Sequence, residues 1–352
     1  MDQLGVVLHA AGRVDDAITC FRKVVELDLG FANAHHNLGA VLVRSGRPAN
    51  AVPSYRKAVE LAPDNAQFHL DLALALQNVG KHDEAIECFR KTVALDPTKF
   101  IAHYNLGWEH QDKHCWDEAI ASYRKTIELD PTHAEAHCNL AMCLQNKGRL
   151  AEALQIMRCG HELGSKRAGW AYPSAEWVRT AEMRAELEAK LPELFAGKIQ
   201  PVDNAERLEY VTLCGVKGLH HAAARLSSEA FAADPRLADD LDARHRYDAA
   251  ISAAQAGTGR SEDSKPLDEP ERARLRKQSL DWLRADLAQH ARKLETGKPQ
   301  DRAAAQAALR EWQEEPDLAC IRDPATLASL PPEERDAFGR LWADVAELLR
   351  SR

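Results

Sequence analysis

The sequence has no surplus of positive charge, no long apolar run and no CxxC pair, and each absence bears on function. Forty-six Lys and Arg against 54 Asp and Glu leave a formal charge of −8, and no basic stretch is free of nearby carboxylates. This argues against nucleic acid as a partner, since phosphate contacts need uncompensated cations. No run approaches the roughly 20 apolar residues of a membrane helix, so no membrane partner is expected. Asp2, with nothing apolar behind it, is unlike the start of a secretory signal. The expected location is the cytoplasm. There, eight cysteines without a CxxC pair read as reduced, structural thiols.

What the sequence does have is a rhythm. Segments 4–28, 36–63, 69–97, 103–131 and 137–157 superimpose without a gap at a spacing of 34 residues. A fixed period of this size means stacked supersecondary units, none of which buries its apolar face alone. Within a unit, apolar residues fall at helical intervals, as in Leu38, Val41, Leu42 and then Ala51, Tyr55, Ala58, with Gly46 separating the two runs. Each unit is therefore a helix, a turn and a second helix. Small residues at Gly5, Gly39, Ala73, Gly107 and Ala141, and at Ala17, Ala51, Ala85, Ala119 and Ala153, mark where the pair approaches closely. Phe21, Tyr55, Phe89 and Tyr123 fill the gap, and Pro63, Pro97 and Pro131 end the second helices.

In these positions the segments resemble tetratricopeptide repeats, with the family's L-G, A, F/Y, A and P in phase over residues 1 to about 163. The resemblance implies an all-α, right-handed superhelix of five units whose concave groove binds protein. Two departures stand out. Four positions into the repeat, where the family usually carries tryptophan or another bulky residue, stand His35, His69, His103 and His137. The first copy also opens at Met1 already inside its first helix, as in a fragment of something longer.

The first helices line the concave wall of such arrays. Two positions before each small residue come Gln3, Asn37, Asp71, Asn105 and Asn139. With helices stacked about 10 Å apart, this row becomes a polar ladder. A carboxamide offers a peptide group both donors and an acceptor while ignoring the side chain beyond, so an extended polypeptide of relaxed sequence suits the row. Similar asparagines line the O-GlcNAc transferase repeats that these resemble. The alternative is that the asparagines cap or bridge helices within the scaffold. Three residues further on, Val6, Ala40, Leu74, Trp108 and Met142 form an apolar strip. Trp108 and Met142, with Tyr104 beside them, are the expected anchors for an apolar side chain of the partner; the alternative is that the C-terminal helices fold back and fill the groove themselves. The lysines that grip a terminal carboxylate in chaperone-binding members are replaced by Asn33, Gln67, Ile101 and Glu135, so an acidic C-terminal tail is not the expected cargo.

The histidine row invites a metal reading that distance removes for the row itself. Equivalent residues one repeat apart lie roughly 10 Å from each other, whereas a nitrogen ligand sits about 2 Å from zinc. The local groups His110, His114, Cys115 and His133, His137, Cys138 have an i, i+4 spacing that could hold zinc, although copies of the repeat without them look equally well formed. The pairs Arg22-Lys23, Arg56-Lys57, Arg90-Lys91 and Arg124-Lys125 fall on the second helices and read as a solvated convex surface.

Beyond residue 163 the period fades while helical patterning persists. Ser174 is placed to cap a helix running toward Leu191, and residues 204–235 read as a degenerate repeat. A helix is expected from about Leu237 to Ala256, followed by helices near 271–294, 301–314 and 333–350. Trp282, Trp312 and Trp342, one per helix, read as packing anchors. The expected organisation is five repeats over 1–163, a capping helix and degenerate repeat-like helices over 164–256, a polar linker over 257–270, and C-terminal helices over 271–352. Segments 280–297 and 310–349 resemble the tail that follows tetratricopeptide repeats in some large bacterial serine/threonine kinases. That resemblance implies a recruitment or regulatory region. It carries no kinase chemistry: there is no glycine-rich loop, strand lysine or D-F-G, and HRYD at 245–248 stands alone in a helical run.

The reading is a non-catalytic scaffold without cofactor or metal. It holds an extended peptide on Asn37, Asp71, Asn105, Asn139, Leu74, Tyr104, Trp108 and Met142, and the open ends of the array allow a homodimer. The competing class is the helical part of an enzyme, a kinase or glycosyltransferase, whose catalytic domain lies outside the chain.

Overall fold

The structure, a computed structural model, describes residues 2–263 and 266–350. Met1 and the side chain of Gln3, the first rung of the ladder, lie outside the described residues. Every regular element described is a helix, and among the described residues no helix is long and apolar enough to cross a membrane. The chain divides into two units, Met1–Glu182 and Met183–Arg352.

The N-terminal unit is five helix pairs: α1 Asp2–Ala10 with α2 Val14–Leu27, α3 Ala32–Arg44 with α4 Pro48–Leu61, and α5 Ala66–Asn78 with α6 His82–Leu95. There follow α7 Phe100–Asp112 with α8 Trp116–Leu129, α9 Ala134–Asn146 with α10 Leu150–Ser165, and the start of α11, Ser174–Phe195. Each second helix also packs on the first helix of the next pair, and first helices meet along the wall, α1 on α3, α3 on α5 and α7 on α9. This is the solenoid that the 34-residue period predicts. The close approach is also as expected: a Cβ added at Gly5, Gly39 or Gly107 would stand 2.7 Å from the ring of Phe21, Tyr55 or Tyr123 respectively. No real Cβ tolerates that distance, so the rings occupy the space that glycine vacates.

Two kinds of side-chain link tie neighbouring units together. His35, His69, His103 and His137 each place Nε2 at 2.8 to 3.2 Å from a backbone carbonyl six residues earlier, that of Leu29, Pro63, Pro97 and Pro131. A carbonyl only accepts, so each ring carries its proton on Nε2 and ties the start of a first helix to the end of the preceding unit. On the outer face Arg56 pairs with Glu84 and Arg124 with Glu152, from one second helix to the next.

The turn inside each pair needs a left-handed residue. Gly12, Gly46, Gly80 and Gly148 supply it with φ between 68° and 76°, but in the fourth pair the equivalent residue is His114 at φ 55°. A side chain there costs about 1 kcal/mol or more. His114→Gly is accordingly expected to raise the stability of the array by about 1 kcal/mol, checked by urea unfolding; an unchanged midpoint would mean that the edge-on contact with Trp116, 5.1 Å between ring centres, offsets the strain.

The C-terminal unit contains the rest of α11, then α12 Asn204–Val216, α13 His220–Ala233, α14 Arg236–Asp239, α15 His245–Gly257, α16 Glu269–Thr296, α17 Pro299–Glu314, a 3-10 turn Pro316–Leu318, α18 Ala319–Arg322, α19 Pro324–Leu327 and α20 Pro332–Arg350. The α12–α13 pair, turning at Gly218 with φ 69°, lies where helices over 204–235 are expected. The helix expected from Leu237 is broken. Asp240 Oδ1 accepts from the backbone N–H groups of Asp242 and Ala243, a side-chain substitute for helical bonding, and the chain re-enters a helix through Arg244 at φ 59°. Small residues then let α15 run buried against α13 and α16.

Two residues after α15, Ser261 and Asp263, are tied to the start of α13. Ser261 Oγ accepts from the N–H groups of His220 and His221, and Asp263 accepts from that of His221, so together they cap α13. Ser174 does not cap α11 as expected, because its Oγ accepts from Trp170 Nε1 and bonds His161. The three tryptophans are packing anchors. Trp312 stacks on Tyr247, Trp282 meets Phe231 edge-on, and Trp342 Nε1 donates to the carbonyl of Ile321.

Candidate interaction groove

Successive helical residues are about 100° apart. A side chain two positions before the small residue that faces the second helix therefore points to the opposite side, along the inner wall. Asn37, Asp71, Asn105 and Asn139 occupy that position on α3, α5, α7 and α9, and all four are half-buried.

The scaffold engages them in a regular way. Asp71 Oδ2 accepts from His36 Nε2 at 2.6 Å, and Asn139 Nδ2 donates to the Tyr104 hydroxyl at 3.3 Å. Both links run between residues 35 apart, from a rung to the residue just before the rung on the preceding unit. For Asn105 the corresponding neighbour is Leu70, which has nothing to bond. Asn105 Nδ2 donates instead to the Ile101 carbonyl of its own helix at 2.8 Å. The carboxamide oxygens of Asn105 and Asn139 accept no bond among the described residues. Asn37 also has a partner. The bridging alternative thus accounts for Asp71 and for the Nδ2 of Asn139, and leaves acceptors on α7 and α9.

Around Asp71, His36 stacks on Phe68 at 4.7 Å, and burial, reinforced by the Asp71 charge, pushes the Tyr55 hydroxyl far above its ordinary range. At the other end Tyr104 lies between His133, stacked at 4.6 Å, and Tyr123 at 5.8 Å. Burial raises Tyr104 to about 12, with Tyr172 and Glu135 adding to it, and raises Tyr123 further; burial likewise lowers His133. At neutral pH these are uncharged groups that offer hydrogen bonds. Tyr123 uses its own on Gln111, at 2.9 Å.

The apolar strip is unequal. Leu74 is half-buried against the core of the first pairs, and Met142 against that formed by Cys138, Ala141 and Met157. Trp108 is 38% exposed and lies beside the His82 ring, 6.0 Å away. Sequence reasoning missed what holds that ring. Glu109, fully buried, accepts from Gln77 at 3.0 Å and pairs with His82 Nδ1 at 3.1 Å. The signal was available, because the same column elsewhere holds Val41, Ala75 and Cys143. A lone carboxylate among them needs a local partner.

Paired helices in register, with their first helices forming one wall, define a helical-repeat solenoid of the protein-interaction class. The repeats are tetratricopeptide repeats: family models described as tetratricopeptide or TPR repeats match residues 5–46, 30–98, 100–133 and 122–155. No curated protein matches the chain. Among solved structures it is similar to two crystal structures of MamA, each at 26% identity. One match covers 46% of this chain and 95% of the other with a TM-score of 0.44, and the second covers 48% and 93% with a TM-score of 0.45. It is similar also to YrrB, titled a TPR protein with an unusual peptide-binding site, at 21% identity over 47% of this chain and 85% of the other, TM-score 0.44.

Proposed function

We propose that the inner wall of the repeats binds an extended polypeptide, with α7 as the centre of contact. The observation that carries this reading is the pairing of Asn105 and Trp108, one turn apart on α7. The first has an acceptor that no neighbouring unit uses, and the second is a large apolar ring exposed beside a fixed histidine. Asn37, Asp71 and Asn139 extend the polar row along the wall, while Tyr104, Leu74 and Met142 border it. The setting we propose is cytoplasmic and bacterial, the groove recruiting substrates or partners for a serine/threonine kinase on the same or a neighbouring chain; the resemblance of the tail supports this.

The test is selection of binding peptides from a random display library on the full chain, followed by affinity measurement on variants. Trp108→Ala is expected to weaken the selected peptides about 30-fold, the loss of a central aromatic anchor of roughly 2 kcal/mol. Asn105→Ala is expected to cost several-fold, with the melting temperature of both variants close to that of the parent. Equal affinity in parent and double variant would remove the groove as the binding surface.

A further inference from the structure

We propose that the C-terminal unit holds a separate binding site, a cleft for a small organic anion that also carries hydroxyl or ammonium donors, the chemistry shared by sugar phosphates and hydroxy acids. The cleft has a volume of about 280 Å³ and lies between the C-terminus of α15, the first turns of α16, and the α18–α19 segment. That is near the lower end of the range for metabolite sites.

Its charge is not balanced. Arg260, Arg272 and Arg276 line it, and the carboxylates that meet them are Glu269 and Glu334. Arg276, 3% exposed, is engaged by the protein itself: it bonds both carboxylates, and its Nη1 donates to the Gly257 carbonyl at 2.7 Å. Arg272 pairs with Glu269 through Nη2 at 2.9 Å, and its buried Nε has no partner among the described residues. Arg260 forms no ion pair among the described residues, so the uncompensated positive charge of the cleft sits on it. A free guanidinium at the rim of a polar concavity, with a second beside it holding an unused N–H, is a fork for carboxylate or phosphate.

The remaining polar lining sets the second requirement. Thr258 Oγ1 donates to the Ala254 carbonyl, Thr326 Oγ1 to those of Ala319 and Asp323, and Ser329 Oγ to that of Thr326, at 2.6 to 2.9 Å. Each hydroxyl has spent its only hydrogen on the backbone, so toward the cleft it offers lone pairs alone. A bare inorganic anion would gain nothing from them, whereas a ligand with hydroxyl or ammonium hydrogens satisfies them. Cys320, also in the lining, does not make the site a nucleophilic one, because burial pushes its thiol up and keeps it protonated.

Calorimetric titration of the full chain tests this with glucose 6-phosphate, gluconate, glucose and sulfate, an anion with no hydrogen to donate. Glucose 6-phosphate or gluconate is expected to bind, with glucose silent and sulfate at least tenfold weaker; whichever of the first two binds tighter assigns the anionic group. Arg260→Glu, a surface change that leaves the fold intact by circular dichroism, is expected to lower the affinity at least tenfold. Ser329→Ala should weaken the hydroxylated ligand several-fold without altering sulfate. Arg274→Glu, outside the cleft, should leave binding unchanged. The proposal is overturned if neither glucose 6-phosphate nor gluconate binds at millimolar concentration, if affinity survives Arg260→Glu, or if sulfate alone binds as tightly as the hydroxylated ligand.

Discussion

Asp286→Ala is expected to lower the stability of the C-terminal unit by about 3 kcal/mol, the lower end of the cost of halving a buried ion pair. Asp286 on α16 accepts from Arg246 Nε on α15 at 2.7 Å, and the side chains are 3% and 9% exposed. Removing the carboxylate leaves a guanidinium enclosed between helices. Asp239, largely exposed at 3.2 Å from Nη1, offsets part of the loss. Building such a pair is itself expensive: burial raises the Asp286 carboxyl more than Arg246 lowers it. Replacing both partners, Arg246→Met with Asp286→Leu, is therefore expected to recover most of the stability. Denaturant unfolding followed by tryptophan fluorescence reads the effect, because Trp312 belongs to the same core. A loss below about 1 kcal/mol, the worth of an exposed pair, would show the site to be wet.

Acidification through the histidine range is expected to destabilise the same unit. His290 is 7% exposed, meets Trp312 edge-on at 5.8 Å and has a buried Nδ1 without a partner among the described residues. Burial, with Lys293 and Arg244 adding to it, lowers its pKa from 6.5 to about 4. The folded state thus binds this proton less readily than the unfolded chain. The contribution is fully present above pH 6.5 and is lost as pH falls toward 4. A drop of that size corresponds to about 3 kcal/mol. Melting temperature measured from pH 7 to 4 should fall in the parent and fall much less in His290→Leu; parallel profiles would place the imidazole in contact with solvent.

The repeat array was legible because each unit is built from contacts within a few dozen residues, so the small residues and the rings that meet them recur in phase. Legibility failed where a partner is a backbone atom or belongs to the next unit. The histidine column stood out as a departure, but a carbonyl has no letter in the sequence to point to. The polar row can be read from its spacing as one column, yet its links at 35 residues, His36 to Asp71 and Tyr104 to Asn139, emerge only once neighbouring first helices are set side by side. The break at 240–244 escaped because periodicity weighs apolar positions, while Asp240 acts by capturing N–H groups that a helix would otherwise use. In the C-terminal unit nothing repeats, and the arginine cleft assembles residues from 257 to 331 that no spacing rule connects.

The ring-to-carbonyl ties have a consequence for how such an array changes length. Every tie spans six residues and closes entirely within one boundary between units. Excising 34 residues between matching points would leave His103 facing the carbonyl of Pro63 in place of that of Pro97, with the same local fit. Whole modules can be gained or shed without a new ring-to-carbonyl tie, so the number of rungs along the inner wall is free to vary.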